Sequence, residues 1–461
     1  MVNLSDFKQI HCIGIGGIGL SAIAEILLSR GYKVTGSDMR ESDITAKLAA
    51  DGAVIHIGHR AENVDGADLL VYSAAVGADN PEMQRAAELG IPTASRAEVL
   101  GLLMSEYENS IAVSGTHGKT TTTSMVSLIL NNAAKDPTIL VGGNLPEIGG
   151  NVKVGQSQNF VTEACEYVDS FLSLRPKYEI ILNIDSDHLD YFRDIDHIVS
   201  SFDKFASLVP EDGTIIAYDA NPFVKSVVQG RPNVVTYGLT EGCDYYASEI
   251  GFNQDGMPKY KVSNAGGVLC EVQLSVPGEH NILNSLAAFA CCHLIGVDAE
   301  SIAETLSKFK GTQRRFDILG TTEKGVKVID DYAHHPTEIK ATLSAVQNVK
   351  HETLWCLFQP HTYTRTLALF DEFVDSFGDT DKLVMAEIYA AREKNIHKIS
   401  SKELVDKIKE KYPEKEVHFY ETLDEIADFV YENAEAGDLV LTMGAGDIYQ
   451  AGEKILAKDK K

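Results

Sequence analysis

Two glycine loops, each set between an apolar strand and a helix, and a repeated order of strand, polar loop and helix over 461 residues predict an α/β protein. The expected architecture has three domains: Rossmann-like at the N-terminus, a central P-loop ATPase-type mixed sheet, and Rossmann-like again at the C-terminus. Length agrees, since ~150 residues per domain gives three. The connecting stretches divide the chain at residues 1–109, 110–312 and 313–461.

The first domain opens on the apolar run Gln9–Ile13, which leads into Gly14-Ile15-Gly16-Gly17-Ile18-Gly19 and a helical pattern over 20–28. Gly14, Gly16, Gly17 and Gly19 in this position cradle a diphosphate, because glycine permits the tight turn and unpaired N–H groups at the helix start face the anion. A second strand, 33–37, ends at Asp38, where such a fold sets a carboxylate against a ribose hydroxyl. A dinucleotide meets both contacts, and a nucleotide-sugar diphosphate meets them equally. Runs at 54–59, 69–73 and 91–96 continue the sheet and offer Ser73 and Arg96 as polar groups at the same edge.

The central domain begins with Ile111-Ala112-Val113, then Ser114-Gly115-Thr116-His117-Gly118-Lys119-Thr120-Thr121, then an apolar run over 125–130. This is a strand, a phosphate loop and a helix. Val113 stands where the general pattern G-x-x-x-x-G-K-[ST] has its first glycine, so the loop is the tighter G-T-H-G-K-T-T form. Lys119 brings a compact positive charge, and the hydroxyl of Thr120 or Thr121 suits Mg2+. A glycine-rich connection, Gly142-Gly143-Asn144, precedes a strand over 159–162 that ends at Glu163. Another strand, 179–184, opens into Asp185-Ser186-Asp187-His188-Leu189-Asp190. Ligands of doubly wound sheets gather at the carboxyl ends of strands, which brings Glu163 and His188 toward Thr120. Thr120 and Glu163 are hard oxygen donors fit for Mg2+, while His188 points to a second, softer position.

Short alternating strands with turn signals at 253–256 and 264–267 predict a small antiparallel layer over 214–276. A helix start follows at Pro277-Gly278-Glu279-His280, with Asn281 and Asn284 on one face at i and i+3. Amides so placed hold an adenine edge or a loop.

A linker at Gly311-Thr312-Gln313 leads to Arg314-Arg315-Phe316-Asp317, a pair of guanidinium forks able to close over a triphosphate. Strands at 326–330, 354–358, 383–385 and 438–442 then alternate with polar loops and helices, which makes the third α/β domain.

Composition limits the partners. Lys and Arg total 41 against 67 Asp and Glu, and the net charge of −26 repels nucleic acid and anionic lipid surfaces. Seven scattered cysteines without a C-x-x-C pair argue for a reducing compartment and against structural zinc. With no secretory pattern at Met1 and no apolar run of bilayer length, the chain is expected to be cytoplasmic and not inserted in a membrane, as a monomer or homodimer.

Together, G-I-G-G-I-G-L-S, G-T-H-G-K-T-T-T, N-I-D-S-D-H-L-D-Y, P-G-E-H-N-I-L-N, R-R-F-D, D-D-Y-A-H-H-P-T-E and Q-P-H-T-Y-T-R-T resemble the Mur ligases, in order and across all three domains. The resemblance is strongest to the branch that adds L-alanine to UDP-N-acetylmuramate, with the branch that attaches a preformed stem peptide second. A nicotinamide-dependent oxidoreductase is a remote third reading that rests on the first glycine loop alone. The resemblance implies that the first domain binds the UDP-sugar, the second ATP and the third the amino acid.

By position, it makes Lys119 the phosphate lysine and Thr120, Glu163 and His188 the metal ligands, with Arg315 as a phosphate-contacting arginine. It assigns Gly115 to Thr121, Asn281, Asn284, Asp331, His334 and His335 to the nucleotide, and Tyr332, His361 and Arg365 to L-alanine. Two positions depart from the family's common form. Thr362 stands where many alanine-adding members have arginine, and Glu163-Ala164-Cys165-Glu166-Tyr167 replaces Glu-Ala-Asp-Glu-Ser.

Overall fold

The computed structural model describes residues 4–73, 76–253 and 256–460. Its strands form three sheets. The first is fully parallel, in the order β3-β2-β1-β4-β5, from β1 (Gln9–Ile13), β2 (Lys33–Asp38), β3 (Val54–Ile57), β4 (Leu69–Tyr72) and β5 (Thr93–Ser95). Ile10, Cys12 and Ile13 of β1 are fully buried because helices cover both faces of a parallel sheet. Ser95 caps the helix Arg96–Met104 with a reciprocal Ser95–Glu98 capping box, which sets Arg96 at the first helical position.

The central sheet has ten strands in the order β15-β14-β13-β12-β11-β10-β6-β9-β7-β8. They are β6 (Asn109–Ser114), β7 (Thr138–Leu145), β8 (Gly150–Lys153), β9 (Asn159–Glu163), β10 (Tyr178–Ile181), β11 (Thr214–Tyr218), β12 (Val234–Gly238), β13 (Tyr245–Phe252), β14 (Pro258–Asn264) and β15 (Gly267–Gln273). Parallel register sets Glu163 opposite Val113 and Ile181 opposite Ser114. The phosphate loop therefore leaves the sheet between the two strands whose ends carry Glu163 and the Asp185–Asp190 loop.

The helix Lys119–Asn132 is buried from Thr121 through Leu130. It lies against the helix Glu279–Leu294, whose Ala287, Ala288, Ala290 and Cys291 let the two backbones approach.

Two expectations are corrected here. Residues 214–276 are not a separate antiparallel layer: β11, β12 and β13 are parallel members of the central sheet, and antiparallel pairing begins only with β14 and β15, at its edge. The buried run Ile215-Ile216-Ala217 and the crossover helix Pro222–Val228 explain this, since strands buried on both faces lose the alternation of a one-sided strand. Second, Gly142-Gly143-Asn144 is the end of strand β7, not a connection. A Cβ on Gly142 would lie 2.8 Å from Glu163 Oε2, so a larger residue there would displace the carboxylate from its present position. Of the predicted turns, 264–267 joins β14 to β15, while Gln254 and Asp255 of the other, like Met1, lie outside the described residues.

The third sheet has the order β16-β17-β21-β18-β19-β20, with only β16 antiparallel. Its strands are β16 (Asp317–Thr321), β17 (Lys327–Asp331), β18 (Leu354–Phe358), β19 (Lys382–Ala386), β20 (Glu416–Tyr420) and β21 (Leu439–Met443). The first two sheets share one apolar core: Leu100 and Leu103 of the first join Phe160, Phe171 and Phe202 of the second. Gly101 makes the contact possible, for a Cβ there would meet the Ser173 carbonyl. The third sheet has cores of its own and meets the second through polar groups. No helix among the described residues is long and apolar enough to cross a membrane.

Candidate active site

The phosphate loop takes its shape from Gly118, which caps the helix at φ 85°, a left-handed conformation that glycine adopts without strain. A Cβ there would lie 2.5 Å from Asn284 Oδ1. Asn183, which sequence reasoning missed, braces the loop from the other side. It accepts from His117 N at 2.8 Å and donates to His117 O at 3.0 Å.

Lys119 is folded inward. Its Nζ donates to Gly115 O at 2.5 Å, to Thr116 O at 3.0 Å and to Glu166 Oε1 at 3.1 Å, with Oε2 of the same ion pair at 2.9 Å. Burial works against the ammonium, and the charge of Glu166 outweighs it, so the lysine pKa is raised. Glu166 was also missed. It is 2% exposed and its Oε1 lies 3.9 Å from His188 Nε2. Lys119 and His188 thus meet on one buried carboxylate. Glu163 accepts from Gly142 N at 2.6 Å, and Gly143 packs against Thr120.

The donor set suits Mg2+: a threonine hydroxyl, the Glu163 carboxylate and a Glu166 oxygen that no hydrogen bond satisfies, all hard oxygens. Among the described residues, His117, Asp185 and His335 form a different group with metal-ligand spacing. Both ring nitrogens of His335 are already engaged, by Ser186 O and Thr337 N, which leaves that group without a free donor from it.

Three clefts converge on this point. The first, an apolar cavity of about 430 Å3, is walled by Leu182, Val276 and Phe309 and carries Asn281, Asn284, Arg315 and Asp331. His117, Gly118 and Thr121 form its floor. Asn284 donates to Asn281 Oδ1 at 3.1 Å, and Asn281 donates to Pro277 O at 2.7 Å, so the amides are fixed before a ligand arrives. Asp331 accepts from Phe316 N and Ala333 N, and burial raises its carboxyl to about 6.

The two arginines divide their roles. Arg314 is spent within its domain on Asp330 and on the carbonyls of Gly444 and Gly446. Arg315 faces the cavity, its guanidinium 5.1 Å from the Tyr332 ring centre.

The second cleft runs along Gly14, Gly17, Gly19, Ser73 and Arg96 and reaches Glu163. Gly16 turns away and donates to Asp38 Oδ2 at 2.9 Å, which ties the carboxylate to the glycine turn. The third cleft holds His188, His361 and Arg365, and Arg392 lines both it and the second cleft. Arg365 is paired with Asp187 at 3.0 Å and faces His361 Nδ1 at 3.3 Å. Burial, with Arg365 adding to it, lowers His361 to about 4.

Tyr332, His334 and His335 line none of these clefts. Tyr332 packs between Arg314 and His334, His334 stacks edge-on with His361, and His335 Nε2 donates to Ser186 O across the domain boundary.

Three family models match the chain in order: the Mur ligase family catalytic domain over residues 9–108, the Mur ligase middle domain over 113–292, and the Mur ligase glutamate ligase domain over 314–446. The chain belongs to the Mur ligase family. It is 52% identical over 454 residues to UDP-N-acetylmuramate--L-alanine ligase of Alkaliphilus metalliredigens, covering 98% of each chain. The crystal structure of UDP-N-acetylmuramate-alanine ligase from Thermotoga maritima matches with a TM-score of 0.80 at 31% identity, over 98% of this chain and 99% of that one. A murein peptide ligase from Psychrobacter arcticus matches with a TM-score of 0.70 at 26% identity, over 98% of each chain. Mur ligase membership accounts for the first glycine loop without a nicotinamide cofactor.

Proposed function

We propose that this Mur ligase joins L-alanine to the carboxylate of UDP-N-acetylmuramate, with ATP cleaved to ADP and phosphate. The observation that carries the reading is the convergence of three clefts on the phosphate loop: His117 and Gly118 face the first, Glu163 faces the second and His188 faces the third. The apolar cavity takes adenine between its walls, with Asn281 and Asn284 at the base edge and Asp331 on the ribose. The glycine cleft takes the UDP diphosphate, and the third cleft takes the amino acid.

A carboxylate does not acylate an amine in neutral water, so the sugar carboxylate must first become a better electrophile. Its oxygen attacks the γ-phosphorus, the bond to the β-phosphate oxygen breaks, and ADP leaves an acyl phosphate. The alanine nitrogen then attacks the carbonyl carbon, the tetrahedral adduct expels phosphate, and the amine proton passes to a base.

Lys119 and Arg315 offset the charge where two anions meet. Mg2+, held by Thr120, Glu163 and His188, would add Lewis-acid neutralisation when bound. His361, neutral at pH 7, orients the amine without storing its proton. With Arg365 committed to Asp187, Arg392 is the cation that meets the alanine carboxylate. Closure of the third domain over the loop keeps water from the acyl phosphate. This reading places the enzyme in the cytoplasm, with its nucleotide substrates.

Phosphate release from ATP is the test, run with Mg2+ and UDP-N-acetylmuramate plus L-alanine, a stem tripeptide or neither. Release that requires L-alanine, with the alanyl product seen by mass spectrometry, is expected. Release with the tripeptide alone would assign the chain to peptide recycling.

A further inference from the structure

We infer that Glu166 is a positioning residue that keeps Lys119 from phosphate until a divalent cation takes over its carboxylate, so that nucleotide and cation bind as a coupled pair. The inference rests on the proposed nucleotide site at the phosphate loop.

An ammonium group has three N–H donors. Lys119 spends them on Gly115 O, Thr116 O and Glu166, so none is left for an incoming phosphate. The two carbonyls belong to the loop itself, and Glu166 is the partner that can be exchanged.

The exchange cannot be made by phosphate alone. Glu166 is almost fully buried, and removing the partner of a buried charge is strongly unfavourable. Were Lys119 to turn to a phosphate, the carboxylate would be stranded beside a second anion. A new positive partner must reach Glu166 at the same time.

Geometry provides for one. The Oε2 atom lies 2.9 Å from Lys119 Nζ but out of line for a hydrogen bond, so it is a buried oxygen with no donor. His188 Nε2 stands 3.9 Å from Oε1, the oxygen that accepts from Lys119. His188 holds a left-handed backbone, φ 53°, with its ring beside Glu166. A divalent cation seated between the Glu163 and His188 walls would therefore meet a ready carboxylate oxygen and release Lys119 in doing so.

The test is calorimetric binding of ADP in EDTA and in saturating Mg2+, for the wild type, Glu166→Gln and Glu163→Gln. In the wild type Mg2+ should tighten ADP at least ~30-fold, within the range of linked sites. Glu166→Gln keeps the shape and loses the charge, so metal-free ADP should bind about 10-fold tighter and the gain from Mg2+ should fall below about 5-fold. Glu163→Gln should lose the Mg2+ gain without tightening metal-free ADP.

An unchanged metal-free affinity and an unchanged Mg2+ gain in Glu166→Gln would overturn the inference alone. Failure of ADP to bind the wild type even with Mg2+ would instead overturn the nucleotide site. A second measurement needs no variant: labelling of wild-type Lys119 by an amine-reactive reagent, read by peptide mass spectrometry. Mg2+ without nucleotide should raise the labelling several-fold, and no rise would also count against the exchange.

Discussion

His117 Nδ1 lies 3.1 Å from Glu338 Oε1, a contact between the phosphate loop and the first turn of helix Pro336–Val346 in the third domain. On its other side His117 Nε2 faces Asp185 at 3.5 Å, and Thr337 donates to the same Asp185 at 2.7 Å. The third domain is thus latched to the nucleotide loop through one imidazole.

The latch is pH-dependent in a definite direction. Burial disfavours the His117 proton, but Asp185 and Glu338 outweigh it and raise the pKa to about 9. The raised value means that the stabilisation is complete below the ordinary 6.5 and is lost as pH rises through about 9. Small-angle scattering of the ligand-free protein should show a larger radius of gyration at pH 10 than at pH 7. Glu338→Gln should expand the protein already at pH 7, since breaking a buried charged pair costs about 3 kcal/mol. An unchanged radius in both would remove the latch.

Arg392 should govern the alanine KM. Its truncation in Arg392→Ala should raise the KM for L-alanine about tenfold, roughly the 1.4 kcal/mol of one charge-assisted contact, and leave the KM for ATP unmoved. Steady-state kinetics in each substrate separates this from a general loss. Equal effects on both substrates would mean that Arg392 acts on closure and not on alanine.

Glu179, in the middle of the central sheet, costs stability. It is fully buried on β10 with Ser114 as its one side-chain hydrogen-bond partner among the described residues, and burial raises its carboxyl to about 8. A folded pKa above the unfolded one means that the acid is destabilising wherever the unfolded chain ionises, from about pH 4.5 upward. The penalty at pH 7 is about 3 kcal/mol by linkage. Glu179→Gln should therefore raise the melting temperature at pH 8 and leave it nearly unchanged at pH 4, by scanning calorimetry.

Glu82 has the opposite sign. It is buried in the first domain, accepts from Ser37 at 2.6 Å and Asn63 at 2.5 Å, and lies 3.1 Å from His59. Burial raises its carboxyl, but His11, Ser37 and Asn63 together hold it at about 2. Its contribution is present above about pH 4.5 and is lost as pH falls toward 2. Chemical denaturation of Glu82→Gln should show a loss of about 3 kcal/mol at pH 7 that shrinks at pH 3. A loss that did not depend on pH would point to packing as the cause.

Much of this was legible in the sequence because it was local. Strand, glycine loop and helix are consecutive, so 9–28 and 111–130 read directly as nucleotide loops, and the carboxyl ends of β9 and β10 were readable as site positions. What stayed hidden depends on partners distant in the chain. Glu166 looks like any loop acid until Lys119, 47 residues earlier, is seen on it. Asn183 braces His117 across 66 residues. The Gly142-Gly143 pair resembles a turn, because only the fold shows that the room it leaves is filled by Glu163.

The left-handed residues of the third cleft have a further consequence. His188, Thr362 and Ala391 hold φ between 51° and 67° without being glycine, at a cost of about 1 kcal/mol each. Substitution by glycine at Thr362 or Ala391 would relieve that cost, so a laboratory selection for heat resistance is free to take it. A selection for turnover is not, because glycine also loosens the wall against which a small amino acid is held. The cleft is then a place where durability and speed pull the same codon in opposite directions.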